Sequence, residues 1–214
     1  MPSAVERKRR SEEICSREGI PVNPHLPVVE EESNSKIRTV EEIAWRAMCL
    51  CLVSMRAEGM ELDQVRAVER DFNLRDKLSP NELAFLSDNP MSDRDRVNFG
   101  WRYESYWVLL WALGYVSELG HPDKVCDVER AVTILFESKN PSKFIEGASL
   151  RTQSEILDEV DLIYRYDWAC VDSRLAGKPM PAGLHPGVVY ERHYALNWLV
   201  GYCDQEWDEI STDT

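Results

Sequence analysis

The chain has 214 residues, 38 of them Asp or Glu against 25 Lys or Arg, for a formal charge of -13; its isoelectric point is about 4.8. A hydrophobic fraction of 43% beside 29% charged residues suits one domain with a sizeable core. The acidic balance disfavours general nucleic-acid binding, because such a surface repels phosphate. The longest apolar patch, Trp107 to Leu113, falls far short of the ~20 residues of a membrane span.

Val5 to Arg17 reads as a short helix. Its basic cluster Arg7 to Arg10 is followed by Glu12 and Glu13, which suggests pairing on the helix surface. No apolar stretch follows the cluster, so no secretory signal is read and a cytoplasmic chain is expected. The next stretch, GIPVNPHLPVVEEESNSK, carries Pro21, Pro24 and Pro27. These prolines forbid a continuous helix and favour an extended arm. Val22, Leu26, Val28 and Val29 would anchor that arm to its own domain. Residues 1–36 are therefore expected as a helix plus arm packed on a helical body of residues 37–214.

Thr39 followed by Glu42 is a capping-box signature, and the helix behind it has so wide an apolar face that it should be largely buried, to near Gly59. A more exposed helix follows from Glu61 to Asp71. Ser79–Pro80–Asn81–Glu82 opens a short helix, with Ser at the cap, Pro in the first turn and Glu at the third position. SDNPMSDRD reads as a loop. A helix is predicted from about Asn98–Trp101 to Glu118, a turn at His121–Pro122, and another amphipathic helix from Asp123 to Ser138. Asn140 to Ser149 is a loop with room for one helical turn. Thr152 and Glu155 cap the longest helix, Gln153 to about Ala176, which Lys178 to Gly183 breaks. The last helix runs from Pro186–Val188 to about Gln205. Trp207 and Ile210 then anchor the tail WDEISTDT; deleting Trp207 to Thr214 should cost roughly 1–2 kcal/mol, several degrees in melting temperature. No alternating strands and no βαβ rhythm are present, so the fold class is all-α, with about seven to nine helices.

Six cysteines are scattered, with Cys49 and Cys51 two apart inside a helix. They would point in different directions and chelate poorly, so buried free thiols are expected. No phosphate-binding loop, dinucleotide fingerprint, nucleophile elbow or HExxH is present. Glu191 and His193 are two apart, not the three of helical di-iron sites, so neither a metal nor another cofactor is expected. His193 is the one histidine inside a helix and the one to test. A pairing of Cys203 with His193 has no support from spacing. Trp45, Trp107, Trp111, Trp168 and Trp198 sit at core spacing, which leaves Trp101 and Trp207 for exposed roles.

The stretch WRYESYWVLLWALG places Glu104 on a helix face with Trp101, Trp107, Val108 and Trp111. A glutamate in that company needs a cation or several donors from another element, since Arg102 points elsewhere. Charges on other apolar faces offer partners: Arg46, Asp161, Arg165, Glu191 and Arg192. Glu191 and Arg192, adjacent on one helix, cannot both face the core squarely. These six residues read either as a buried network that fixes helix packing or as a cleft of carboxylates, arginines and aromatics. Arginines in such a cleft could clamp an anion, and paired carboxylates could exchange protons.

The chain resembles a bacterial family of helical proteins, the domain of unknown function numbered 4272. The resemblance rests on GIPVNPHLP, RTVEEIAWRA, LSPNELAFL, FGWRYESYWVLLWALG, LRTQSEILDEVDLIYRYDWA, YERHYALNWLVG and WDEISTDT, and covers most of the chain from about Arg7. It implies one helical domain that includes the arm and the tail, and it supplies no reaction, cofactor or catalytic residue. The expectation for function is a non-catalytic binding or interaction protein, monomeric or homodimeric. Its partner would be a protein or a small molecule, not nucleic acid or membrane. The alternative is a small-molecule-binding protein or enzyme built around the charged cleft.

Overall fold

A computed structural model of the chain describes residues 2–87 and 91–214. Residues 88–90 of the predicted SDNPMSDRD loop lie outside the described residues. The described residues form ten α-helices, joined by 3-10 turns, and no strand. They are α1 (Ala4–Glu18), α2 (Val40–Ala57), α3 (Leu62–Asp71), α4 (Pro80–Phe85), α5 (Asp93–Gly100), α6 (Arg102–Ala112), α7 (Val128–Glu137), α8 (Pro141–Glu146), α9 (Gln153–Leu175) and α10 (Pro186–Leu199). The packing order is α2 on α6, α6 on α10, α10 on α9 and α9 on α1, with α5, α7 and α8 covering α2. The fold is all-α, as the sequence implies.

Capping chemistry sets the helix starts. Thr39 Oγ1 accepts from the Glu42 N–H while Glu42 Oε2 accepts from the Thr39 N–H, and the same reciprocal box opens α4 at Ser79 and α9 at Thr152. Each box satisfies two backbone donors that the first turn leaves unpaired. α2 buries every residue from Ala47 to Met55, as an all-round apolar helix must.

Four predicted boundaries move. The single helix expected to reach Glu118 is two: α5 starts earlier, where the Ser92 side chain accepts from the Asp95 N–H, and α6 stops at Ala112. Gly114 takes φ +79°, and a Cβ there would lie 2.7 Å from the Ser149 carbonyl oxygen, so the chain turns where a side chain could not fit. Residues beyond it are irregular, yet Val116 and Leu119 are buried, which is why they mimic a helical pattern. α7 begins at Val128, not Asp123, because Asp127 is the residue whose side chain accepts from the Arg130 N–H. α10 ends at Leu199, short of Gln205, with Gly201 at φ +64°.

Residues 20–38 carry no helix and run beside α1 and α9. Lys8 Nζ donates to the Pro24 and Leu26 carbonyls, and Gln153 Nε2 to those of Glu32 and Ser35. Leu26 is buried but Val28 is 44% exposed, so Val28 is not the expected anchor. The basic cluster on α1 is used inside the molecule. Arg7, 1% exposed, bonds Asp158 and Glu32, and Arg10 shares Asp158; the Lys8–Glu12 and Arg9–Glu13 pairs form on the surface.

Candidate functional site

α10 is buried nearly all round: from Val188 to Leu199 only Tyr190 is exposed. Successive residues of an α-helix lie about 100° apart, so on a surrounded helix neighbours in sequence face different neighbours in space. Glu191, Arg192, His193 and Tyr194 each line a different cavity, of about 680, 480, 970 and 480 Å³ respectively. Glu191 and Arg192, expected not both to face the core squarely, are both buried, each toward a different cavity. The expectation assumed a helix with a solvent face, and α10 has almost none.

All six charged residues singled out from the sequence are buried, at 7% exposure or less. They fall into separate hydrogen-bonded groups, not one network. Arg46 pairs with Glu82 at the start of α4, under the Trp207 ring. Asp161 takes both Nε and Nη2 of Arg165, at 2.8 and 2.7 Å, one turn along α9, the two-pronged geometry that makes arginine–carboxylate bonds strong. Glu191 accepts from Arg102 at 3.1 Å and from the Ser105 hydroxyl at 2.7 Å. Burial opposes the Arg102 charge, but Glu191 outweighs it and its pKa ends above the ordinary arginine value.

Glu104 and Arg192 differ. Glu104 Oε1 accepts the Cys126 N–H at 2.5 Å, whereas Oε2 is buried with no hydrogen-bond partner. Arg192 Nε lies 3.8 Å from that oxygen and is likewise buried and unpartnered. The one hydrogen bond of the guanidinium runs from Nη1 to the Gly120 carbonyl, 2.8 Å. Burial lowers the Arg192 pKa and raises that of Glu104, against the Cys126 N–H and Arg192, which favour the carboxylate. Glu159 on α9 lines the same 480 Å³ cavity as Arg192 and has no hydrogen-bond or ion-pair partner among the described residues. Burial raises its pKa too, with Arg192 opposing. Trp111, Leu119 and Leu162 supply apolar wall, and Arg151 is committed to the carbonyls of Trp111, Val116 and Ser117.

Asp161 beside Arg165 and Arg192 beside Glu104 were legible in the sequence as partners; the others were not. Glu82 was legible only as a cap, and Arg102, Glu159 and Asp167 carried no signal. Trp207, expected to be exposed, is 4% exposed, packed edge-on against Tyr194 and Trp198. His193 Nδ1 lies 2.9 Å from Asp167 Oδ2. Burial pushes the thiols of Cys15, Cys49, Cys51 and Cys170 up to about 12, so they stay protonated and inert. Among the described residues no three His, Cys, Asp or Glu side chains are grouped to hold a metal ion, and no helix is long and apolar enough to cross a membrane.

A family model described as a domain of unknown function, DUF4272, matches residues 7–210. The chain belongs to this family. No curated protein and no solved structure matches it. The DUF4272 match runs from the first buried arginine, Arg7, to the tail anchor Ile210, and so takes in α10 and most of the lining of the four cavities around it.

Proposed function

We propose that this DUF4272 protein binds a small zwitterionic molecule in the cavity between Arg192 and Glu159, and that it acts by binding, not by catalysis. The observation that carries this is Arg192: 4% exposed, yet with one hydrogen bond, to a backbone carbonyl. A buried guanidinium without a bonded anion is costly, and a ligand carboxylate would supply two acceptors in the geometry that arginine prefers. Glu159 offers the complementary charge for an ammonium, and the apolar wall suits a short hydrocarbon frame. A cavity of about 480 Å³ lies within the range of small-molecule sites.

Isothermal titration of the full chain with the proteinogenic amino acids, succinate and butylamine tests this. Saturable binding by an amino acid, weakened tenfold or more in both Arg192→Met and Glu159→Gln, is the expected result. Succinate and butylamine, each with one kind of charge, should bind weakly. No heat from any amino acid, together with a bare mass in native mass spectrometry of protein gently purified from its own host, overturns the proposal.

A further inference from the structure

One residue along α10, and on the other side of it, the same helix carries a second unsatisfied group. His193 is 2% exposed, and its ring faces the cavity of about 970 Å³ between the arm, α9, α10 and the tail. Nδ1 is held by the Asp167 carboxylate at 2.9 Å. A carboxylate accepts, so Nδ1 carries the hydrogen, and in the tautomer this contact selects Nε2 is an acceptor. Nε2 has no hydrogen-bond partner among the described residues, and it is not among the atoms sealed from solvent. It therefore opens onto the cavity.

The rest of the lining is of the same kind. Asp204, Glu206 and Asp213 line it without a side-chain hydrogen bond or ion pair among the described residues. The Tyr164 ring stands 5.9 Å from the imidazole. The fixed donors of the lining are already engaged: Arg38 Nε and Nη2 with the Trp198 and Gln205 carbonyls, and Asn197 Nδ2 with the Ser211 carbonyl. Lys36 is exposed, and Ser35 Oγ is buried without a partner. His193 Nε2 and the three tail carboxylates remain without a cationic partner among the described residues.

We infer that this cavity is a second binding site, for a small organic cation of the amine or guanidine class, whose N–H donates to His193 Nε2 while the tail carboxylates hold its charge and Tyr164 offers a ring face. Such a cation over a tyrosine ring gains further from the ring quadrupole. Asp167 acts through His193, as the group that fixes which nitrogen is free. The site is independent of Arg192, which faces a different cavity.

Agmatine is a suitable probe, with succinate as the anionic control. Cys203, the one exposed cysteine, lines this cavity, so its alkylation by iodoacetamide reports occupancy. Agmatine should slow that alkylation and shift the His193 Nε2 nitrogen resonance, which before addition should have the position of an unprotonated nitrogen. His193→Gln should weaken agmatine at least tenfold, and Asp204→Asn with Asp213→Asn, both at exposed positions, at least threefold. Arg192→Met should leave it unchanged, even if no amino acid binds the first cavity. Protection by succinate in place of agmatine, a protonated Nε2 in the free protein, or agmatine binding unaffected by the Asp204 and Asp213 changes would each overturn the inference.

Discussion

Arg165 and Arg192 are both buried arginines beside a buried carboxylate, and they are built differently. Arg165 is gripped through two nitrogens by an aspartate one turn back on the same helix, with Glu12 3.8 Å away and the Pro27 carbonyl at 3.4 Å. Arg192 has Glu104 at 3.8 Å and no carboxylate hydrogen bond. The first arrangement ties α9 to α1 and the arm through two bonded nitrogens, and only Nη1, 3.8 Å from Glu12 Oε1, is left without a hydrogen bond. The second holds opposite charges just out of contact beside an open cavity. Pairing of the first kind is what a fold needs to define its packing; separation of the second kind is what a ligand can complete.

Removing the grip should therefore hurt most where it is complete. Asp161→Asn leaves the Arg165 charge buried beside a neutral amide and should cost about 3–5 kcal/mol, on the order of 10 °C in melting temperature for a chain of this length. Trp207→Ala should fall in the same range by another route. It empties a site lined by Tyr194, Trp198 and the two guanidinium groups of Arg46 and Arg102, and buried Trp→Ala changes cost roughly 3–5 kcal/mol. Both are read by thermal melts followed by circular dichroism. Deleting the tail should therefore cost more than the roughly 1–2 kcal/mol that its sequence suggests, since Asp208 also accepts from Ser79 and from the Asn81 N–H.

Arg192→Met should do little by comparison. Its stability should lie within about 1 kcal/mol of the parent, or above it, because a poorly paired buried charge is replaced by an apolar side chain. A loss as large as that of Asp161→Asn would mean Arg192 is a packing determinant and would erase the contrast with Arg165.

The sequence carried the local half of this contrast. Capping boxes at Thr39, Ser79 and Thr152 fixed three helix starts to the residue, since a cap and its partner are three residues apart. The burial of all six charged residues was also legible, because each stands among apolar neighbours at helical spacing. Apart from Asp161 one turn from Arg165, and Arg192 as a candidate for Glu104, their partners were not. Arg46 and Glu82 are 36 residues apart, Arg102 and Glu191 are 89, and the donor to Glu104 is a backbone N–H 22 residues on, which no side-chain pattern announces. Residues after Gly114 were misread for a related reason: burial of Val116 and Leu119 comes from tertiary packing of a loop, and burial alone carries no period.

The smallest predicted effect separates the two kinds of carboxylate by pH. Burial holds the Glu104 and Glu159 pKa values above the ordinary 4.5, so the folded chain binds those protons more tightly than the unfolded one. Their contribution to stability is complete below about 4.5 and is lost as pH rises through the raised values. The capping-box carboxylates Glu42 and Glu155 are held below 4.5, chiefly by hydrogen bonds from Thr39 and Thr152. What they contribute is present above 4.5 and lost as pH falls through the lowered values, so the two windows do not overlap. Between pH 4.5 and 7 the melting temperature of the parent should therefore decline relative to that of the Glu104→Gln, Glu159→Gln double variant, and groups common to both cancel in the difference. A difference that stays flat across that window would mean the two carboxylates are as well served as Asp161, and the cavity beside Arg192 would lose its claim to be unfinished.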